Sequence, residues 1–319
     1  MAEYTAEVIQ IDELIPHPNA DTLSIIHIGD FQCIVRTNDW QCGDLGIYIE
    51  PDTIVPETEE FEFLGSHRRI KARKLRGEWS IGLLVPAPPE AKIGDDYFNK
   101  LGLKHWEPNV HGNFTTGGEN VVAPTGIFPI YDIDNFRKYS RLFENGEEVI
   151  VTEKVHGCNS RFVCIDNKMF AGSRRNWKKE DPNNLWWKVI AQNPEIEVWC
   201  RAHPGLALYG EAYGQVQNLK YGAKPGEIRF AGFDILKNTK WLDFDEAREL
   251  GSSLPWVPLI YRGPFCKVKI LAFAEGDSII PFAQNIREGV VVKPIHERTD
   301  PRIGRVQLKV VGNRYLSKS

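Results

Sequence analysis

The chemistry-bearing groups of this 319-residue sequence gather around one lysine. Lys154 ends the apolar run Val149-Ile150-Val151-Thr152 and stands in Glu153-Lys154-Val155-His156-Gly157. An amine at a strand end beside a glycine can meet a ligand at short range, because a residue without a Cβ lets the ligand approach the backbone. To act as a nucleophile the amine must be unprotonated. An unperturbed lysine has a pKa of about 10.4, so neighbouring cations or a metal must depress it. Taken alone, Lys-x-x-Gly is an ordinary strand end in most sequences. Cys158 lies close by, but no motif pairs its thiol with a base, which argues against cysteine catalysis.

Two cationic runs could meet phosphate. His67–Arg76 (HRRIKARKLR) holds Arg68, Arg69, Lys71, Arg73, Lys74 and Arg76 without an acid, and Arg174, Arg175, Lys178 and Lys179 form a second group. The formal net charge of −4 offers no overall attraction to nucleic acid, so such binding must come from these local patches. Six cysteines without a CxxC pair argue against a zinc site and a disulfide framework, which fits a reducing, cytoplasmic setting. The sequence shows neither a leader-like start nor a run approaching the roughly 18 apolar residues of a membrane span. No membrane association and no obligate protein partner are expected.

These groups need elements to hold them. Apolar residues at 42% and charged residues at 26% describe an ordinary folded protein, and the length suits two domains. Between Tyr4 and Pro86 the runs LSIIHI, FQCIVR, LGIYIE and WSIGLLVP read as short strands and predict a small β-barrel. Pro86, Pro88 and Pro89 punctuate its end, and the stretch Asn109–Asn120 reads as a linker. The expected domains are therefore 1–110 and 125–319. Beyond Pro129 the pattern becomes α+β. Val149–Lys154 is a strand, and RFVCI and KMFAGS form a hairpin about Asp166-Asn167. Asp181-Pro182 offers an N-cap and first turn for a helix through Leu185, Trp186, Val189 and Ile190. Further strands are expected at LALYGEAYG, RFAGFDI, EGVVVKPI and RVQLKVV.

The segment HPNADTLSI, His17–Ile25, resembles the opening of the OB-fold tRNA-binding domains attached to some synthetases. Downstream, Lys154-x-x-Gly157 is followed in order by Ser173-Arg174, Tyr209-Gly210-Glu211, Phe233-Asp234, Glu288-Gly289-Val290-Val291-Val292-Lys293 and Leu308-Lys309. This series resembles the collinear motifs of the covalent nucleotidyltransferases: RNA ligases, DNA ligases and mRNA capping enzymes. His156 and Asn159 make it most similar to the T4 RNA ligase 2 family, and an OB domain placed first looks like the Deinococcus and Naegleria type of RNA ligase.

The resemblance implies an OB-like barrel followed by an adenylyltransferase domain, ATP-grasp-like, of antiparallel sheets with flanking helices. It implies ATP-dependent joining of RNA 3′-hydroxyl and 5′-phosphate ends, with AMP carried on Lys154. His156 would serve adenylylation and Asn159 the later sealing. Glu153, Arg174, Glu211, Phe233, Lys293 and Lys309 would bind the nucleotide, with Phe233 stacked on adenine. Glu211 and Glu288 would hold Mg²⁺ or Mn²⁺, since hard cations prefer carboxylate oxygen. Arg68, Arg69, Lys71, Arg73, Lys74 and Arg76 would contact RNA. One departure stands out: the usual Lys-x-Lys of the last motif reads Gln307-Leu308-Lys309 here, so either Lys309 works alone or Arg305 substitutes. A GTP-dependent capping guanylyltransferase and a non-catalytic RNA-binding protein with a decayed ligase fold are the alternatives.

Overall fold

Alternation of apolar and polar residues turns the N-terminal segments into short strands whose neighbours face opposite sides. The computed structural model describes residues 4–107, 110 and 112–318. It divides into two units, one of residues 2–108 with 313–319, the other essentially residues 109–312.

In the N-terminal unit, Leu45–Ile49 lies between Ala6–Gln10 and Leu83–Pro86 in an antiparallel sheet. Ile47 and Ile49 join an apolar cluster with Val8, Phe61 and Val85, whereas Tyr48 joins a second cluster with Ile26, Phe31 and Trp40. A second sheet pairs Ile15–Pro16, Leu23–Ile28 and Phe31–Arg36. The expected WSIGLLVP strand is parted at Gly82: Glu78–Ile81 makes a hairpin with Ala72–Leu75, and Leu83–Pro86 goes to the first sheet. Among the described residues backbone pairing leaves separate sheets, so the expected barrel is open rather than closed. The helix Asn313–Lys318 belongs to this unit, packs against Ala72–Leu75 and buries Tyr315 and Leu316.

The larger unit is two sheets. A five-stranded one runs Asp134–Asn135, Leu308–Val311, Gly289–Pro294, Glu148–Lys154, Leu259–Pro264, antiparallel except at its first pair. The six-stranded antiparallel sheet runs Trp177–Lys178, Lys168–Ser173, Cys158–Ile165, Leu206–Gly214, Ile228–Lys237, Lys240–Trp241. The Asp166-Asn167 hairpin forms as expected, both turn residues taking the positive φ of a two-residue loop. Phe162, Leu208 and Phe230 meet the helices Leu185–Gln192 and Glu195–Ala202 in the largest apolar cluster.

Two local readings need correction. The first helix begins at Leu185 and is capped by Asn184, whose side chain accepts from Trp186 N. Asp181 is engaged earlier: its carboxylate accepts from Asn183 N and its carbonyl from Asn184 N, closing a turn that precedes the helix. The expected linker is also no free span. Asn109 and His111 lie outside the described residues, but Thr115, Glu119 and Val121 pair their backbones with Asn183, Lys179 and Trp177 along the sheet edge. Among the described residues no helix is long and apolar enough to cross a membrane, and all six cysteines are free.

Candidate active site

Alternation on the five-stranded sheet decides which side chains can meet. Val149, Val151, Val290, Val292, Leu308 and Val310 enter one apolar cluster, so Lys154, Lys293 and Lys309, at the alternate positions, share the opposite face. The chain leaves this sheet at Lys154 and enters the six-stranded sheet at Cys158, crossing through Val155, His156 and Gly157. A Cβ on Gly157 would lie 2.0 Å from the Ala212 carbonyl oxygen, and one on Gly289, the ladder partner of Lys154, 2.0 Å from that of Val310. Both glycines are therefore demanded by close backbone approach.

At the crossing, Lys154 Nζ stands 2.6 Å from Glu288 Oε1. The other oxygen of Glu288 is 3.2 Å from His156 Nδ1, and His156 Nε2 is 2.6 Å from Asn218 Oδ1. The backbone N–H of His156 donates to the Tyr221 hydroxyl at 2.7 Å. Burial by itself would raise the Glu288 pKa, but the Lys154 charge and the His156 bond outweigh it and hold the carboxyl down to about 2. Glu211 goes the other way. Burial pushes it up to about 8, opposed by Lys154 and reinforced by the Glu288 charge. Asn159 lies directly across the ladder from Glu211, on the face away from the helices, with a buried side-chain oxygen that has no hydrogen-bond partner.

A second ion cluster occupies the same sheet face. Lys293 Nζ is 2.5 Å from Asp234 and 3.2 Å from Glu297, and Arg305 bonds both Asp234, at 2.9 Å, and Glu297, at 2.6 Å. Tyr131 donates to Asp234, and its hydroxyl is 2.8 Å from Gln307 Oε1. Burial disfavours the Asp234 charge, yet Arg305 and Lys293 hold its carboxyl well below the usual range. Arg305 is thus spent on two buried carboxylates and does not take the place of the missing lysine; Lys309 remains in the ladder between Val291 and Asn135. Phe233 is the extra residue of a bulge, since Tyr209 pairs with Asp234 and Gly210 with Gly232. Its ring packs 4.4 Å from that of Tyr131.

Several expected site residues sit elsewhere. Glu153, one residue from Lys154, points to the other face, is 1% exposed and accepts from Ile279 N at 2.9 Å, so the structure does not bring it to the group. Arg174 is on the Asp132 carboxylate at 3.2 Å. In the N-terminal unit, Arg68 bonds the Phe61 carbonyl at 2.9 Å, while Arg69 pairs with Asp52 at 2.5 Å and covers the Trp106 ring. These two are committed internally, and Lys71 is half-buried; Arg73, Lys74 and Arg76 are exposed on the hairpin. Asn218 and Tyr221, which hold His156 from more than 60 residues away, belong to none of the expected site motifs. Their one local signal is the polar, glycine-bounded run Gly214–Gly222 following Glu211.

Comparison with known proteins fits this geometry. A family model of an OB-fold domain matches residues 5–87. Protein Early 65 kDa of Autographa californica nuclear polyhedrosis virus is 29% identical over 183 residues, 52% of this chain and 31% of that protein. The chain therefore spans about a third of the length of that relative. Naegleria gruberi RNA ligase solved with PPi is 25% identical, with a TM-score of 0.82 and coverage of 99% of this chain and 98% of that one. A mutant of the same ligase with ATP and Mn is 24% identical at a TM-score of 0.83, covering 99% of both chains, and shows the shared fold. The RNA ligase family model matches residues 147–311, just over half of the sequence and every strand that frames Lys154, and on that match the chain belongs to the RNA ligase family.

Proposed function

We propose that this chain joins RNA ends at the expense of ATP, with Lys154 as the covalent carrier of AMP. The observation that carries the reading is Lys154 at the sheet crossing, 2.6 Å from an ionised Glu288 whose other oxygen meets His156. Nζ stands here as the ammonium partner of Glu288, so the first step begins with its proton passing to solvent; the free amine then attacks the α-phosphorus, an N–P bond forms, and the bond to the departing pyrophosphate breaks. The AMP then passes to an RNA 5′-phosphate, freeing the lysine. Finally an RNA 3′-hydroxyl attacks that activated phosphate and AMP leaves. Naegleria gruberi RNA ligase has been solved with ATP and Mn, with AMP and Mn, and with PPi, the reactant and products of such a first step, which supports the assignment.

The chain's own residues divide the work. Glu288 and Asn218 fix the His156 ring, Lys309 meets phosphate, the part-exposed Arg174 joins it by exchanging the Asp132 carboxylate for a phosphate oxygen, and Phe233 offers adenine a ring at the bulge. Lys293 adds positive charge from within its buried brace. For Mg²⁺ or Mn²⁺, Glu211 and Glu288 are hard oxygen donors that both feel the Lys154 charge; among the described residues no group of three or more His, Cys, Asp or Glu converges. Two carboxylates suit a cation that completes its shell with nucleotide phosphates, and when bound it would neutralise phosphate charge. The N-terminal unit holds RNA through Arg73, Lys74 and Arg76, as OB folds commonly do. Free cysteines support a cytoplasmic setting.

Intact mass of the purified protein tests the central claim. One AMP increment, gained with ATP and removed by inorganic pyrophosphate, is expected; an increment formed from GTP alone, or none, overturns it.

A further inference from the structure

His17 and Asn19, at the start of the segment similar to tRNA-binding OB domains, meet the tip of the basic hairpin. Their contacts are specific. Asn19 N–H donates to His17 Nδ1 at 3.0 Å, so that nitrogen is the acceptor and Nε2 carries the proton toward the Leu75 carbonyl, 3.1 Å away. Asn19 Nδ2 donates to the Arg76 carbonyl at 2.9 Å. His17 is 5% exposed and works as a rigid bracket, while Asn19 reaches out from it to the turn.

The turn itself is demanding. Arg76 and Gly77 both take positive φ, 48° and 102°, between the paired Leu75 and Glu78. A Cβ on Gly77 would stand 3.2 Å from Asn19 Nδ2, so the glycine serves both the turn and the approach of Asn19. An arginine in the left-handed region is uncommon without support. The three cations that remain exposed lie on this turn and the strand before it, and Lys74 has its ammonium 6.0 Å from the Trp79 ring on the facing strand.

We infer that His17 and Asn19 are positioning residues for RNA: they latch the hairpin tip so that Arg73, Lys74 and Arg76 present one fixed set of donors to the phosphate backbone. The inference rests on the reading of the N-terminal unit as the RNA clamp. A pre-set cationic turn avoids ordering the tip at the moment of binding, which is where a loose one loses affinity. The partner is an RNA backbone rather than a particular base, because the donors are cations on a surface turn and phosphate contacts carry no sequence information.

The test is a double-mutant cycle on RNA affinity, measured across a salt series with the full-length protein. Arg76→Ala should weaken binding of a single-stranded RNA and lower the log–log salt slope by about 0.7, one phosphate contact. Asn19→Ala, which removes an exposed side chain and spares the core, should weaken binding by about three- to fivefold, the worth of one hydrogen bond. Since Asn19 acts through all three cations, adding Asn19→Ala to the Arg73, Lys74 and Arg76 triple neutralisation should cost no further affinity. His17→Gln should follow Asn19→Ala. Additive losses, or wild-type affinity in Asn19→Ala while the Arg73, Lys74 and Arg76 triple neutralisation still weakens binding, overturn the latch alone. Unchanged affinity in the triple variant overturns the clamp and the latch with it.

Discussion

Two ion clusters stand on one face of the five-stranded sheet, and they are built to opposite ends. Around Lys293 the charges cancel, two cations against Asp234 and Glu297, and each side chain has at least two partners. Around Lys154 they do not settle. Glu288 is held ionised, Glu211 is driven toward its neutral form, and Lys154 keeps 23% of its side chain exposed. A network satisfied internally holds its charges in fixed places, whereas shifted protonation states beside a partly exposed amine mark where chemistry can be done. The first cluster braces the sheet and the second uses it.

The sharpest way to break this contrast is at the lysine. Lys154→Ala should abolish transfer of label from ATP while the protein stays folded, and Lys154→Arg should do the same because a guanidinium keeps its proton. Ordinary labelling of folded Lys154→Ala would remove the chemical half of the comparison. Next comes Asp234→Ala, which leaves Lys293 and Arg305 buried without their shared carboxylate. Losses of this kind run to about 3–5 kcal/mol, readable by urea unfolding. Glu288→Ala should cost less stability, because Lys154 can turn to solvent where Lys293 and Arg305 cannot, yet impair lysyl-AMP formation and move the divalent-cation titration. Equal stability losses in the two variants would erase the distinction between brace and site.

Smaller effects sharpen the site itself. His156→Ala should slow adenylylation, whereas Asn159→Ala should leave it largely intact and slow sealing of pre-adenylylated RNA. Equal loss of the first step in both would show that the crossing works as one unit. The least effect is on pH dependence. The Glu288 carboxyl falls from 4.5 to about 2, so its contribution to stability is complete above pH 4.5 and is lost as pH falls through about 2. Glu211 is raised from 4.5 to about 8, so its contribution is present below pH 4.5 and lost as pH rises through about 8. Thermal midpoints of the ligand-free protein should therefore decline across that upper window, and Glu211→Gln should flatten the decline.

Much of this was legible in the sequence because strand alternation and motif order are local properties. Lys154, Lys293 and Lys309 share a face by parity alone, and the hairpin at Asp166-Asn167 announces itself by composition. Charge runs are different. Nothing within HRRIKARKLR tells that Arg68 and Arg69 will be spent on Phe61 and Asp52 while Arg73 and Arg76 stay outside, since their partners are brought in by the fold. The same holds for Asn218 and Tyr221, whose meeting with His156 depends on a turn more than 60 residues further on. Asp181 misled for a related reason: it looks like a cap, but its oxygens were already committed to the turn before Asn184.

The assignment of Asn313–Lys318 to the N-terminal unit changes what a deletion means. In topological terms the catalytic unit is an insertion within the other, joined to it by two covalent passages rather than one. Cutting near residue 109 would not excise an appendage; it would strand a short amphipathic helix whose Tyr315 and Leu316 have lost the Ala72–Leu75 strand that covers them. A clean separation needs a second cut after Gly312, three residues beyond Lys309. The excised unit is then the natural unit for circular permutation, with new ends chosen among its exposed turns rather than at the old boundary.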